Sequence, residues 1–172
     1  MSETPPVIWQ VRAEQADTWR EIRLEALRLA PDAFDSTFAE WSDRPLADVA
    51  ARLDGIETWA AGDRPDPPLA VAGWQPGWQP GTEDTGWITA VYTRPAARGR
   101  GLMSALQRQI ADRAAAAGMV GLGLHVGLAN TAARAVYRRA GFTETGAPFV
   151  NDRGIAEIEM HRPSLEPPVP SR

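Results

Sequence analysis

The chain has 172 residues, 44% of them hydrophobic and 23% charged, the proportions of one ordinary soluble domain able to bury a core without staples. A net charge of −4 and a pI of about 5.2 argue against a broad nucleic-acid surface, which needs clustered positive charge. Cysteine is absent, which excludes disulfides, thiolate nucleophiles and Cys-based zinc sites, and two histidines, His125 and His161, are too few for a His-rich metal site.

The opening residues 1–10 carry neither a basic leader nor a long apolar run, and no stretch of about 18 apolar residues occurs. A cytoplasmic protein with no membrane association is the expectation. Residues 7–12 alternate apolar and polar side chains and read as a strand. Asp17 caps a helix reaching Leu29, with Trp19, Ile22, Ala26 and Leu29 on one face, and Pro31 closes it. Residues 33–44 read as irregular, and Pro45 opens a short helix through Leu53. Strands follow at 56–61 and 69–74, joined by a turn at 64–68.

The tetrapeptide Gly-Trp-Gln-Pro occurs twice between Gly73 and Pro80. This stretch reads as a long hairpin tip, with an aromatic substrate lip as the alternative. Residues 87–93 form a fourth strand, 95–101 a Gly/Arg-rich loop, and 102–117 a helix stopped by Gly118. Residues 121–127 read as the fifth strand. Asn130 opens a helix ended by Gly141, and strands at 142–145 and 155–161 close the domain. The order is a mixed α/β domain spanning 1–162, followed by a Pro-rich tail, 163–172, expected to be disordered.

The segment Tyr92-Thr-Arg-Pro-Ala-Ala-Arg-Gly-Arg-Gly-Leu-Met103 runs from strand through turn to helix. A helix start exposes unpaired N–H groups and the positive end of the dipole, an anion site for a pyrophosphate. Gly99 and Gly101 lack Cβ atoms that would hold phosphates away, and Arg98 and Arg100 add charge-assisted hydrogen bonds. A plain loop and helix start would use the same residues. The pattern is neither a Walker A loop nor a dinucleotide fingerprint.

Residues 98–103 resemble the acetyl-CoA signature of the GNAT acetyltransferases, Gln/Arg-x-x-Gly-x-Gly/Ala. Arg98 and Gly101 match, while Met103 stands where that family prefers Gly or Ala. Thr93-Arg94-Pro95 resembles the Val-x-Pro that leads into this loop. Asn130-Thr-Ala-Ala-Arg-Ala-Val-Tyr-Arg-Arg-Ala-Gly-Phe142 closely resembles the family's Asn-x-x-Ala-x-x-x-Tyr-x-x-x-Gly-Phe. The Arg-Gly-Arg-Gly run alone is weak; the two motifs together, in order and at ordinary spacing, are strong.

The resemblance implies a twisted, mostly antiparallel sheet of about seven strands, splayed at a parallel pair of fourth and fifth strands, with about four helices. It implies acetyl-CoA as cosubstrate, no metal, and direct transfer to a primary amine. The fourth strand would end in a bulge, and pantetheine would lie in the V and pair with the backbone of Val91, Tyr92 and Thr93. Pyrophosphate would sit on the N–H groups of Gly99, Arg100, Gly101, Leu102, Met103 and Ser104. Asn130 would reach the pantetheine arm, or only cap its helix. Tyr137 would lie near sulfur and protonate the thiolate, or be a core tyrosine.

No covalent enzyme intermediate is needed. An amine with pKa of about 10.4 is mostly protonated at neutral pH, so a proton must leave it. N–H donors on the bulged strand suit the developing oxyanion. The fourth strand, 87–93, holds no carboxylate to act as base. Glu40, Asp43, Glu83, Asp84, His125 or an ordered water are the candidates. His125 is alternatively a satisfied core residue, and His161 reads as a surface one. Residues 31–40 resemble the Pro-x-Ala-Phe-x-Ser-Thr stretch of some members, which makes Phe34, Ser36, Thr37 and Glu40 the expected acceptor wall.

A small-molecule acetyltransferase, a protein N-terminal or lysine acetyltransferase, and a catalytically silent CoA-binding domain all fit this pattern. Intact Asn130 and Tyr137 favour an enzyme. Net acidity with Trp41, Trp74 and Trp78 in irregular segments suits a cationic, partly apolar small amine. A homodimer is compatible with the chain, and no nucleic-acid partner is expected.

Overall fold

The computed structural model describes residues 5–165. These form seven strands: β1 (Val7–Val11), β2 (Glu57–Gly62), β3 (Ala70–Pro76), β4 (Thr85–Thr93), β5 (Gly121–Gly127), β6 (Thr143–Val150) and β7 (Ala156–Arg162). The α-helices are α1 (Ala16–Leu29), α2 (Phe38–Ser42), α3 (Leu46–Gly55), α4 (Leu102–Ala116) and α5 (Thr131–Arg139). The sheet order is β1-β2-β3-β4-β5-β7-β6. Neighbours are antiparallel except β4 and β5, which run parallel. Most of the expected tail, from residue 166 onward, lies outside the described residues.

Two apolar layers cover the sheet. One face carries α4 and α5, whose Leu102, Leu106, Ile110 and Tyr137 pack with Ile88, Leu124 and Met160. The other face carries α1, α2 and α3, whose Trp19, Ile22, Trp41 and Val49 pack with Val11, Val71 and Tyr92. Full burial of such side chains contributes roughly 1.5–3 kcal/mol each. On α1 the face read from the sequence holds at Trp19, Ile22 and Ala26, but Leu29 is 55% exposed. Leu27, in the same last turn, takes the buried position instead, at 2% exposed.

The interval 33–44 is not wholly irregular. Thr37 and Glu40 form a reciprocal capping box at the start of α2: Glu40 N donates to Thr37 Oγ1 at 3.3 Å and Thr37 N donates to Glu40 Oε2 at 2.6 Å. Trp41 then anchors this short helix edge-on to Trp19, with ring centroids 5.3 Å apart. The Gly-Trp-Gln-Pro duplication also divides. Its first copy finishes β3, and its second forms the turn, where the approach of Thr82 leaves no space for a Cβ at Gly77.

Candidate functional site

The sheet opens between β4 and β5. Their parallel pairing is confined to Thr85–Gly121, Gly86–Leu122 and Trp87–Gly123, after which the strands part. Across β3, the register moves from Val71 opposite Tyr92 to Gly73 opposite Thr89. Ala72 therefore faces two residues, Ala90 and Val91, which is a β-bulge. Ala90 adopts φ +53°, a conformation rare for a residue with a Cβ. The strained turn redirects β4 where its partner departs, leaving backbone groups facing the gap instead of a ladder.

One cavity of about 1200 Å³ runs through this opening. At one end lies the start of α4. Gly99 and Gly101 have φ +76° and +73°, and a Cβ at either would meet nothing within 4 Å. Glycine is thus required for its left-handed backbone, while the open space leaves the helix N-terminus accessible to an anion. Arg98 lines the cavity and donates through Nε to Thr93 O at 3.4 Å. Arg100 is outside the lining and ion-pairs with Asp63. Leu102, Met103 and Ser104 line the cavity on the first turn.

Gln107, one turn further, is 4% exposed. Its Nε2 is buried without a hydrogen-bond partner, yet the residue lines the cavity. A buried amide in that state can donate to an acceptor atom of a bound molecule. Together the glycine cradle, helix start and Gln107 suit a cosubstrate with a pyrophosphate and an amide-bearing arm. Sequence periodicity concealed Gln107, because it sits among apolar neighbours on the buried face of α4.

The middle of the cavity is bounded by Thr89, Val91, Tyr92, Thr93 and α5. Asn130 caps α5, its Oδ1 accepting from Ala133 N at 3.1 Å, and also lines the cavity. The capping bond uses the oxygen, so the amide N–H groups remain for a ligand. Tyr137 is 7% exposed, lines the cavity, and meets Phe142 edge-on. Burial pushes its phenol well above the ordinary range, which keeps the proton on the oxygen. The side chain of Tyr92 points to the opposite layer, where its hydroxyl donates to Glu25 at 3.0 Å.

The other end lies against residues 30–36 and the β6–β7 hairpin. Arg153 Nη1 donates to Pro31 O at 2.8 Å and Phe34 O at 2.5 Å, and Asn151 Nδ2 donates to Asp35 at 3.1 Å, tying these segments together. Phe34 and Ser36 line the cavity; Thr37 and Glu40 do not. The side chains of Thr37 and Glu40, expected at the acceptor wall, are held instead in the α2 cap. Glu83 is likewise engaged in its own turn, accepting from Gly81 N at 3.1 Å. Asp43 and Asp84 also lie outside the lining.

Among the base candidates, His125 does line the cavity. Its Nε2 lies 3.2 Å from Glu159 Oε2, while His161 Nε2 lies 2.8 Å from Glu159 Oε1. Trp87 meets both imidazoles edge-on, at 5.0 and 5.5 Å, and Trp78 leans on Trp87 at 5.7 Å. His161 is therefore half-buried structure, not the surface residue expected. Trp78 lines the cavity, as an aromatic lip would. Glu157, a lining residue missed from sequence, is 6% exposed. Burial raises its carboxyl above the usual range, Asp35 adds to that, and His125 and Asn151 oppose it. In sequence it is one of two alternating glutamates on a strand, with no separate signal.

The chain matches the acetyltransferase (GNAT) family over residues 14–142. No curated protein matches it. Solved structures share its fold at low identity. A ribosomal-protein-alanine N-acetyltransferase from Brucella melitensis is 19% identical, with TM-score 0.72, covering 90% of this chain and 98% of its own. The yncA protein of Salmonella typhimurium, solved with acetyl-CoA, is 22% identical, with TM-score 0.74 and coverage of 98% and 99%. A phosphinothricin acetyltransferase from Sinorhizobium meliloti, also with acetyl-CoA, is 20% identical, with TM-score 0.76 and coverage of 98% and 93%. The protein belongs to the GNAT acetyltransferase family, enzymes that use acetyl-CoA as acetyl donor. Among the described residues no helix is long and apolar enough to cross a membrane.

Proposed function

We propose that this enzyme transfers the acetyl group directly to the primary amine of a small molecule, with His125 as general base and Tyr137 as general acid. The observation that carries this reading is one cavity joining the α4 cradle, the β4 bulge and the His125–Glu157 end. Bound acetyl-CoA supplies the thioester carbonyl and the thiol leaving group. Arg98 and the N–H groups of residues 99–104 hold the pyrophosphate, except that the Arg100 side chain is committed to Asp63. Gln107 and Asn130 orient the pantetheine arm.

At the acceptor end, Glu157 and Asp35 supply negative charge that attracts an ammonium. His125 takes the proton that must leave before the nitrogen attacks, and Glu159 stabilises the resulting imidazolium. At the bulge, the Val91 N–H donates to the carbonyl oxygen as charge develops. Tyr137 gives its proton to the departing sulfur. Trp78, Trp87 and Phe34 provide apolar surface, which favours a small, partly apolar amine over a protein chain. The alanine N-acetyltransferase and phosphinothricin acetyltransferase structures support amine transfer without choosing the acceptor.

A panel of small amines, polyamines and N-terminal peptides, assayed for CoA release, tests this reading. Release with small amines above the rate with peptides is expected. Peptides as the better acceptors would overturn the small-molecule reading.

A further inference from the structure

Arg23 sits on the buried face of α1 with 6% of its surface exposed. Its Nε and Nη1 are buried without hydrogen-bond partners. The guanidinium lies 4.6 Å from the centroid of Phe34 and 5.2 Å from that of Trp41. Rings of this kind hold a cation in place but offer no oxygen to its N–H groups. No ion pair joins it to a carboxylate among the described residues; Asp35 acts on it only at longer range.

The surroundings add positive charge. Arg52 lies 5.6 Å from both Trp19 and Trp41, and Arg44 lies 4.2 Å from Trp41. Burial, with repulsion from Arg52 and Arg44, pushes Arg23 down to about 9, still cationic at neutral pH. A buried guanidinium with unfilled donors is strongly unfavourable in a low-dielectric layer unless an anion completes it. Arg23 and Arg52 both line the cavity, at the end where Phe34 and Ser36 form its wall. The α4 cradle, with Arg98 and Gly101, belongs to the opposite layer of the sheet, so the pyrophosphate does not account for this charge.

We propose that Arg23 is the receptor for a carboxylate on the acceptor, so that the substrate is an amino acid and not a simple amine. The guanidinium fork matches a carboxylate in two parallel hydrogen bonds, and its rings fix the fork's plane. Arg52 supplies a second positive field behind it. Glu157 and Asp35 offer negative charge in the same cavity. One zwitterion therefore has a complementary electrode for each end. This rests on the acetyl-transfer reading above and adds the acid group to it.

The test measures CoA release for the standard amino acids and for their decarboxylated counterparts, such as phenylalanine with phenethylamine and tryptophan with tryptamine. For accepted skeletons, kcat/KM of the acid should exceed that of the decarboxylated amine by at least about 10²-fold, with most of the difference in KM. In Arg23→Gln that ratio should fall to within about threefold of unity. If Arg23→Gln does not fold, phenylacetate gives an independent reading on the unaltered enzyme: inhibition competitive with the amine is expected. A ratio near one in the unaltered enzyme, an unchanged ratio in a folded variant, or no inhibition by phenylacetate would overturn the assignment. Release from phenethylamine or tryptamine at a ratio near one leaves acetyl transfer standing. No release from any amine, despite acetyl-CoA binding, contradicts both readings.

Discussion

The Nε2 of His125 on β5 lies 3.2 Å from Oε2 of Glu159, its cross-strand partner on β7. The carboxylate fixes one ring nitrogen as donor and leaves the other to accept a proton. Replacing His125 with Ala should lower kcat by about 10²–10⁴-fold with acetyl-CoA affinity unchanged. Glu159→Gln should lower it by a smaller factor, since its amide can donate to Nε2 and reverse the tautomer. Steady-state kinetics with calorimetry separates these outcomes from unfolding.

Tyr137→Phe keeps the ring against Phe142 and deletes the hydroxyl. Turnover should fall by about 10²-fold or more while acetyl-CoA binding changes little. Near-normal turnover in a folded variant would remove Tyr137 from the chemistry and leave it as a packing residue.

At Gly101 the backbone, not space, demands glycine, since φ is +73° and a Cβ there would meet nothing within 4 Å. Gly101→Val should strain the start of α4 by roughly 1–3 kcal/mol and weaken acetyl-CoA binding. Gly101→Asn, which tolerates the left-handed region, should do less harm to both. Melting curves and acetyl-CoA titrations read the two effects; equal damage from both substitutions would point to direct occlusion.

Glu157 has its carboxyl raised in the folded state, chiefly by burial. Its contribution to stability is therefore present at acid pH and lost as pH rises through the folded value. Glu157→Gln should raise the melting temperature at neutral pH, with the gain shrinking towards acid pH. The same variant should raise KM for the amine. A melting temperature lowered at neutral pH would contradict the sign.

Thr37→Ala removes half of the capping box and should destabilise the protein by about 0.5–2 kcal/mol. Because Thr37 and Glu40 lie outside the cavity lining, kcat/KM should stay within about threefold of the unaltered enzyme. Denaturant unfolding alongside the CoA-release assay checks both.

Much of the proposed cosubstrate side was legible because it rests on local chemistry: Gly99 and Gly101 punctuate a strand-to-helix turn, and Asn130 caps the helix bearing Tyr137. The acceptor side was less so, because it is assembled from distant segments. The capping box of Thr37 and Glu40 was readable from its spacing, yet the family likeness drew both residues towards the substrate. Arg23 falls four residues after Trp19, a charge at core spacing, and that was the available sign of a special environment. Glu157 gave no sign, since its surroundings, Asp35, His125 and Asn151 among them, come from distant segments of the chain. The splay of β4 from β5 is a matter of register, which begins at Thr85 and ends at Trp87, and no local pattern encodes it.

Every step proposed for this enzyme depends on acetyl-CoA occupying the cavity between β4 and β5. Calorimetric titration of the protein with acetyl-CoA tests this most directly. One molecule should bind per chain with Kd in the micromolar range, about the level typical of enzyme ligands, and Gly101→Val should weaken it. Absence of heat and of any thermal shift at saturating acetyl-CoA would contradict the assignment.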